Sequence, residues 1–300
     1  MRVDSPAEQV LFTTVRIEAD LRDGGMSTGT AFIVHWGDAT KSTMAPFLVT
    51  NRHVIEGTSS GRFFFTEREG DQPAIGKRFD VSVHDFEQGW HPHPDATVDL
   101  AVLPFAGVVQ MARAKGKNLF YKALSLDLIP SADQLGELDA VEEIVFVGYP
   151  NGVYDRQNLL PIVRRGATAT PVQVDYNGQP VFLVDASVFP GSSGSPVLIL
   201  NTGGYANRGG FTVGTRVLLL GVMSAVLYTE HDGRLEFVEI PTSKTPVVRT
   251  RELIDLGLVY KSRLIEETLR DFFVSKNLDW NSGRERTPEA ESSTGTEANA

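Results

Sequence analysis

Residues 189–197 read Phe-Pro-Gly-Ser-Ser-Gly-Ser-Pro-Val, FPGSSGSPV. Gly191, Ser192, Ser193, Gly194, Ser195 and Pro196 make either a flexible surface loop or a tight turn. A turn would hold one hydroxyl still while neighbouring backbone N–H groups face whatever that hydroxyl attacks. Glycine suits the second reading, because it lets backbone approach a substrate with no side chain in the way. The choice depends on whether the chain also supplies a base for a serine and an acceptor to orient that base.

Acyl transfer by serine needs an imidazole to take the hydroxyl proton, a carboxylate to fix its tautomer, and backbone donors for the oxyanion. The chain has six histidines. Of these, His53 directly follows a strongly apolar run, in FLVTNRHVIEG, which is expected to be a strand and a rigid mount. Asp99 opens TVDLAVLPF, where the residues that follow are apolar and strand-like. An acid at the edge of such a run is expected to be partly buried and to need a partner. WHPHPD (90–95) offers a rival: His91 and His93 alternate like metal ligands, with His84 nearby, and Asp95 competes with Asp99 as the acid. The prolines there favour a rigid loop, and spacing fixes no third ligand.

Composition narrows the rest. The chain has 300 residues, 41% of them hydrophobic, which is enough for a buried core. A net charge of −10 without a Lys/Arg cluster argues against nucleic acid as the main partner. There is no cysteine, which excludes disulfides, thiolate nucleophiles and Cys-based zinc sites. The first residues, MRVDSPAEQVLFTTVRI, do not read as a signal peptide, and VLLLGVMSAVLY (217–228) is too short to span a bilayer. The expectation is a cytoplasmic protein with no membrane contact. GGYANRGG (203–210) lacks the strand-to-helix context of a phosphate loop, so no nucleotide or other cofactor is expected.

Up to about residue 250 the chain consists mostly of short β-type runs between Gly, Pro, Asn and Asp, which predicts a sandwich or barrel. The polar stretch 106–138 divides two β halves. Residues 249–280 change period: Leu264, Ile265, Leu269, Phe272 and Phe273 recur at helical spacing, predicting an amphipathic helix that covers an edge. Residues 281–300 carry almost no large apolar side chain and are expected to be disordered. The reading is thus an N-terminal half over 1–118, a C-terminal half over 119–248, a helix over 249–280 and a tail.

Three segments, GTAFIV…FLVTNRHVI, TVDLAVLPF and FPGSSGSPV, together resemble the trypsin-like (chymotrypsin-fold) serine peptidases. The likeness is to bacterial stand-alone forms related to the HtrA and glutamyl-endopeptidase branches. The order His, Asp, Ser is the family's order. The resemblance implies an all-β fold of two six-stranded antiparallel β-barrels, followed by the C-terminal helix. It implies His53 as base, Asp99 as orienter and Ser193 as nucleophile, with the N–H groups of Gly191 and Ser193 forming the oxyanion hole. It places Ser187 at the pocket base, and Ser224 and Val226 on the strand bordering the substrate. Ser187 is uncharged and Val226 would narrow the entrance, so small or medium uncharged P1 residues are expected. Many animal members carry Asp immediately before the nucleophile, where it pairs with an N-terminus released by cleavage. Ser192 stands there instead, so no zymogen cleavage of that type is expected. The implied partner is a protein or peptide substrate, with a regulatory protein as an option. The alternative is a silent or partner-activated trypsin fold used as a binding or sensor protein.

Overall fold

The computed structural model describes residues 1–37, 44–150, 153–207, 209–234 and 247–283, with backbone alone over 226–234 and 247–254. Much of the expected disordered tail, residues 284–300, therefore lies outside the described residues.

The first half is built on β1 (Thr14–Leu21), β2 (Met26–Trp36), β3 (Ala45–Thr50), β4 (Thr58–Glu69), β5 (Gln72–His84), β6 (His91–Pro92) and β7 (Ala101–Pro104). They pair in the order β5-β4-β1-β2-β3-β7-β6, and the short β8 (Leu119–Phe120) and β9 (Leu124–Ser125) join β4 and β2. In the second half, β10 (Glu143–Gly148), β11 (Ile162–Thr168), β12 (Val181–Asp185) and β13 (Pro196–Asn201) precede a hairpin, β14 (Tyr205–Asn207) and β15 (Gly210–Thr212). The long strands β16 (Arg216–Arg234) and β17 (Val247–Lys261) follow, and the helices among the described residues are, in chain order, α1 (Pro6–Val10), α2 (Arg52–Ile55), α3 (Ala106–Ala114), α4 (Ala132–Glu137) and α5 (Arg263–Ser275). The order β10-β11-β12-β17-β16-β13 closes as a six-stranded barrel. The fold is therefore mostly β: one closed barrel and a second, nine-stranded sheet.

The halves meet at different residues from those read in the sequence. Ladder pairs of β8 and β9 carry the first sheet to Ser125, beyond the expected boundary at 118. The second half runs past 248, because β17 pairs with both β12 and β16. The reason is closure: without β17 the barrel would leave two unpaired strand edges. The helix expected from residue 249 accordingly starts later, as α5 (Arg263–Ser275). Its buried face is the predicted one, with Leu264, Ile265, Leu269, Phe272 and Phe273 joined by Thr268.

Strand periodicity explains how two sheets share one core. Successive side chains point to opposite faces. Along β2, Ala31 and Ile33 pack with Phe63 and Phe65 inside the first sheet. Phe32, Val34 and Trp36 face the other way and pack with Val145, Val147, Leu198 and Leu219 of the barrel. The barrel strands repeat the pattern, with Ile144, Phe146, Val197 and Ile199 lining their own interior. Strands buried on both faces need no polar alternation, which is why GTAFIV and IVFV read as continuous apolar runs.

Helix α5 seals one end of the shared core. Phe273 lies 4.5 Å from Trp36 and Phe272 meets Phe47 edge-on at 5.4 Å, ring centre to ring centre. The histidines of WHPHPD face this helix. His91 Nε2 is 2.7 Å from Asp271 Oδ2, and His93 Nε2 is 3.6 Å from Glu267 Oε2. Asp95 spends its Oδ1 on the N–H and hydroxyl of Thr97. The segment weighed as a metal loop thus docks the helix, and its acid caps a local turn. Phe273→Ala is expected to lower stability by about 3–5 kcal/mol, read by urea unfolding at constant m-value. A loss under ~1 kcal/mol would mean that α5 contributes little to the core.

Candidate active site

The strand β3 stops at Thr50. His53 stands on α2 (Arg52–Ile55), a single helical turn, and not at the end of the strand itself. The turn forms because it buries Val54 and Ile55 while leaving Arg52 and His53 outward. A helix start leaves backbone N–H groups without partners. Here one of them is taken by a residue far away in sequence: the His53 N–H donates to Asp99 Oδ1 at 2.9 Å. The other oxygen, Oδ2, lies 2.6 Å from His53 Nδ1. Asn51 Nδ2 donates to the Asp99 carbonyl at 2.8 Å and so fixes the backbone on which the carboxylate sits.

An ionised carboxylate only accepts, so His53 Nδ1 carries the proton and Nε2 of the neutral ring is left free as a base. Burial pulls the Asp99 carboxyl upward. Hydrogen bonds and charge from His53, with a hydroxyl bond from Ser224, outweigh burial and hold it below the ordinary value of 3.8. Ser224, expected as a pocket residue, therefore has a second role: its Oγ donates to Asp99 Oδ2 at 2.7 Å.

The serine segment is a turn and not a loose loop. Pro190 and Gly191 occupy its central positions, with Ser192 N–H donating to Phe189 O at 3.0 Å and Gly191 at φ +88°. That is the type II pattern, which requires a positive φ at its third residue and therefore glycine. The turn is pinned on both sides. Thr30 N–H donates to Ser193 O at 2.9 Å, and Gly194 N–H donates to Met223 O at 2.8 Å. A Cβ on Gly194 would collide with the Thr30 carbonyl oxygen, and its φ is +83°. This glycine thus permits the contact between the two halves. Among the described residues, the N–H groups of Gly191 and Ser193 have no hydrogen-bond acceptor, which leaves both open to an oxyanion.

The Ser193 hydroxyl donates to Ser224 O at 3.0 Å, and no hydrogen bond joins it to His53. The two are connected through Ser224, whose carbonyl holds the serine and whose hydroxyl holds the acid. Ser192 is 1% exposed and its hydroxyl lacks a partner, so no ion pair forms at that position. Ser187 is exposed in the loop after β12, and no hydrogen bond ties it to this cluster. Val226, on β16, pairs with Gly257 of β17, and its side chain is not among those described. Sequence reasoning missed Asn51, Thr30 and the Asp99 contact of Ser224. Thr30 lies in GTAFIV, a segment already singled out, but nothing in its spelling shows which strand face it would occupy.

A bifunctional His–Asp pair, a serine on a rigid turn and two unpaired N–H groups form a constellation suited to acyl transfer. Known proteins place it in a family. The family model described as the trypsin-like peptidase domain matches residues 29–204, more than half of the chain. The chain belongs to the trypsin-like peptidase domain family. Its fold is similar to that of the HtrA-type protease AlgW with tripeptide: identity is 15%, 91% of this chain and 63% of that chain are covered, and the TM-score is 0.46. The chain thus spans less than two thirds of the length of that protein. It is also similar to a structure described as HL collagenase, at 13% identity, covering 90% of this chain and 96% of that one with a TM-score of 0.44. A third, described as GrC, has 13% identity, coverage of 91% and 96%, and a TM-score of 0.42. No curated protein sequence matches.

Two effects of Asp99→Asn are expected. An amide no longer enforces the imidazole tautomer, so any peptide-hydrolysis kcat should drop on the order of 10⁴-fold. The folded pKa of Asp99 is depressed, so its stabilisation is full above the unfolded value of 3.8 and is lost as pH falls through the lower folded value. Thermal melts of wild type and Asp99→Asn should therefore converge only below that window.

Proposed function

We propose that this protein is a serine endopeptidase that cleaves protein or peptide substrates through an acyl-enzyme. The observation that carries the reading is the Asp99 carboxylate, which engages both the backbone and the ring of His53. His53 Nε2 takes the proton as Ser193 Oγ bonds to the scissile carbonyl carbon. The oxyanion that forms receives the N–H groups of Gly191 and Ser193. When the C–N bond breaks, His53 returns the proton to the leaving amine. Water then repeats the sequence, giving its proton to His53 and releasing the acid and the Ser193 hydroxyl. The residues do this work without a cofactor. Before the first step the Ser193 side chain turns from Ser224 O toward His53, a rotamer change on the picosecond-to-nanosecond scale.

Specificity for small or medium uncharged P1 residues is supported by uncharged Ser187 and by Val226 on the bordering strand. Arg164 adds a cation 4.6 Å from the ring of Phe189, beside this segment, and disfavours Lys or Arg there. The chain has no cysteine and so needs no oxidising compartment to fold, and we place its action in the cytoplasm.

One observation favours a second reading, a protease held latent until a substrate or regulatory partner arrives: the Ser193 hydroxyl is on Ser224 O, away from the base. Treatment with a fluorophosphonate separates the two. Stoichiometric labelling at Ser193, absent in Ser193→Ala, is expected for the competent enzyme. No labelling of the isolated protein would favour the latent or silent form. For the pocket, digestion of a peptide library should show cleavage after Ala, Val or Ser; dominance of Arg or Glu at P1 would overturn the assignment of Ser187 and Val226.

A further inference from the structure

The turn that presents Gly191 and Ser193 lacks the ion pair that an Asp at position 192 would provide, yet the turn is ordered and its N–H groups are open. Something else sets the peptide planes. Thr30 is fully buried on β2, in the other half of the molecule. Its Oγ1 donates to Gly191 O at 3.1 Å and accepts the N–H of Tyr149, also at 3.1 Å. A hydroxyl is suited to this bridge, because the same atom must donate to one backbone group and accept from another. Thr30 N–H holds Ser193 O, and Thr50 Oγ1 holds Thr30 O at 2.7 Å. A Cβ on Gly148 would lie 2.7 Å from Thr30 Oγ1, so glycine on the neighbouring strand is what lets the hydroxyl sit in the bridge.

We infer that Thr30 is a positioning residue for the oxyanion hole, and that its hydroxyl does from the neighbouring sheet what an N-terminal ion pair would otherwise do. The inference rests on the serine peptidase reading. Gly191 is the residue of the turn with the widest backbone freedom, so its two flanking peptides decide where the hole points. The Thr30 hydroxyl fixes the peptide that follows Gly191, and the Thr30 N–H fixes the one that follows Ser193. The two donor N–H groups belong to the peptides just before these, Pro190–Gly191 and Ser192–Ser193, so each donor is held from its C-terminal side before any substrate arrives, which is when stabilisation of an oxyanion is set up.

The test compares Thr30→Val, which keeps the shape and removes both bridge functions, with Thr30→Ser, which keeps the hydroxyl. The readouts are hydrolysis of a fluorogenic peptide with Ala at P1, fluorophosphonate acylation rate, melting temperature, and crystal structures of residues 189–194. Removing an oxyanion donor outright costs ~10²–10³ in kcat. A displaced donor should cost about 10-fold or more on the same scale, with KM within about twofold and Thr30→Ser close to wild type. A kcat for Thr30→Val within about twofold of wild type, or an equal loss in Thr30→Ser, overturns the inference. Should Thr30→Val fail to fold, Thr30→Ala carries the same comparison. If wild type neither cleaves nor labels, the peptidase reading fails separately. The inference then stands on the crystal structures: a displaced Gly191–Ser192 peptide in the variant supports it and an unchanged one overturns it.

Discussion

One carboxylate organises the site. Asp99 accepts from the His53 N–H, the His53 ring and the Ser224 hydroxyl, three donors on two elements from opposite halves of the molecule. Each bond has a separate consequence. The first completes the start of a helical turn too short to hold itself. The second fixes the tautomer of the base. The third brings in Ser224, whose own carbonyl holds the nucleophile at rest. A partly buried charge is tolerable only when it is paired and hydrogen-bonded, and here the pairing is also the chemistry.

The geometry around Asp99 depends in turn on how the two halves are pressed together. Strands β2, β3, β10, β13 and β16 give one face to their own interior and the other to a shared core, which α5 closes with Phe272 and Phe273. At the edge of that core the Thr30 carbonyl and Gly194 approach so closely that no side chain fits between them. Thr50 holds the same carbonyl, and the next residue, Asn51, holds the backbone of Asp99. The base side and the oxyanion side are therefore linked through two consecutive residues, Thr50 and Asn51, and through Thr30, whose carbonyl Thr50 holds. A rigid mount of this kind serves catalysis because misplacement by even an ångström is costly.

Much of this was legible in the chain itself. Phe189-Pro190-Gly191-Ser192 spells a type II turn, because proline and glycine each have a local conformational reason for their place. His53, Asp99 and Ser193 stood out by type and setting, and the helical face of α5 was readable from its period. Other features were not legible. The helix boundary at 263 and the continuation of the barrel through β17 depended on which strand edges needed a partner. His91 and His93, spaced like ligands, met carboxylates on a helix some 180 residues later.

The sequence by itself determined the turn chemistry, the strand and helix periods and the residue types able to move a proton, since these rest on local backbone preference and spacing. Only the tertiary structure decided that Asp99 and not Asp95 holds the base, that Ser224 serves both acid and nucleophile, and that Thr30 reaches Gly191. Those facts depend on strands buried on both faces and packed across two halves, where contact partners lie far apart in the chain and periodicity carries no record of them.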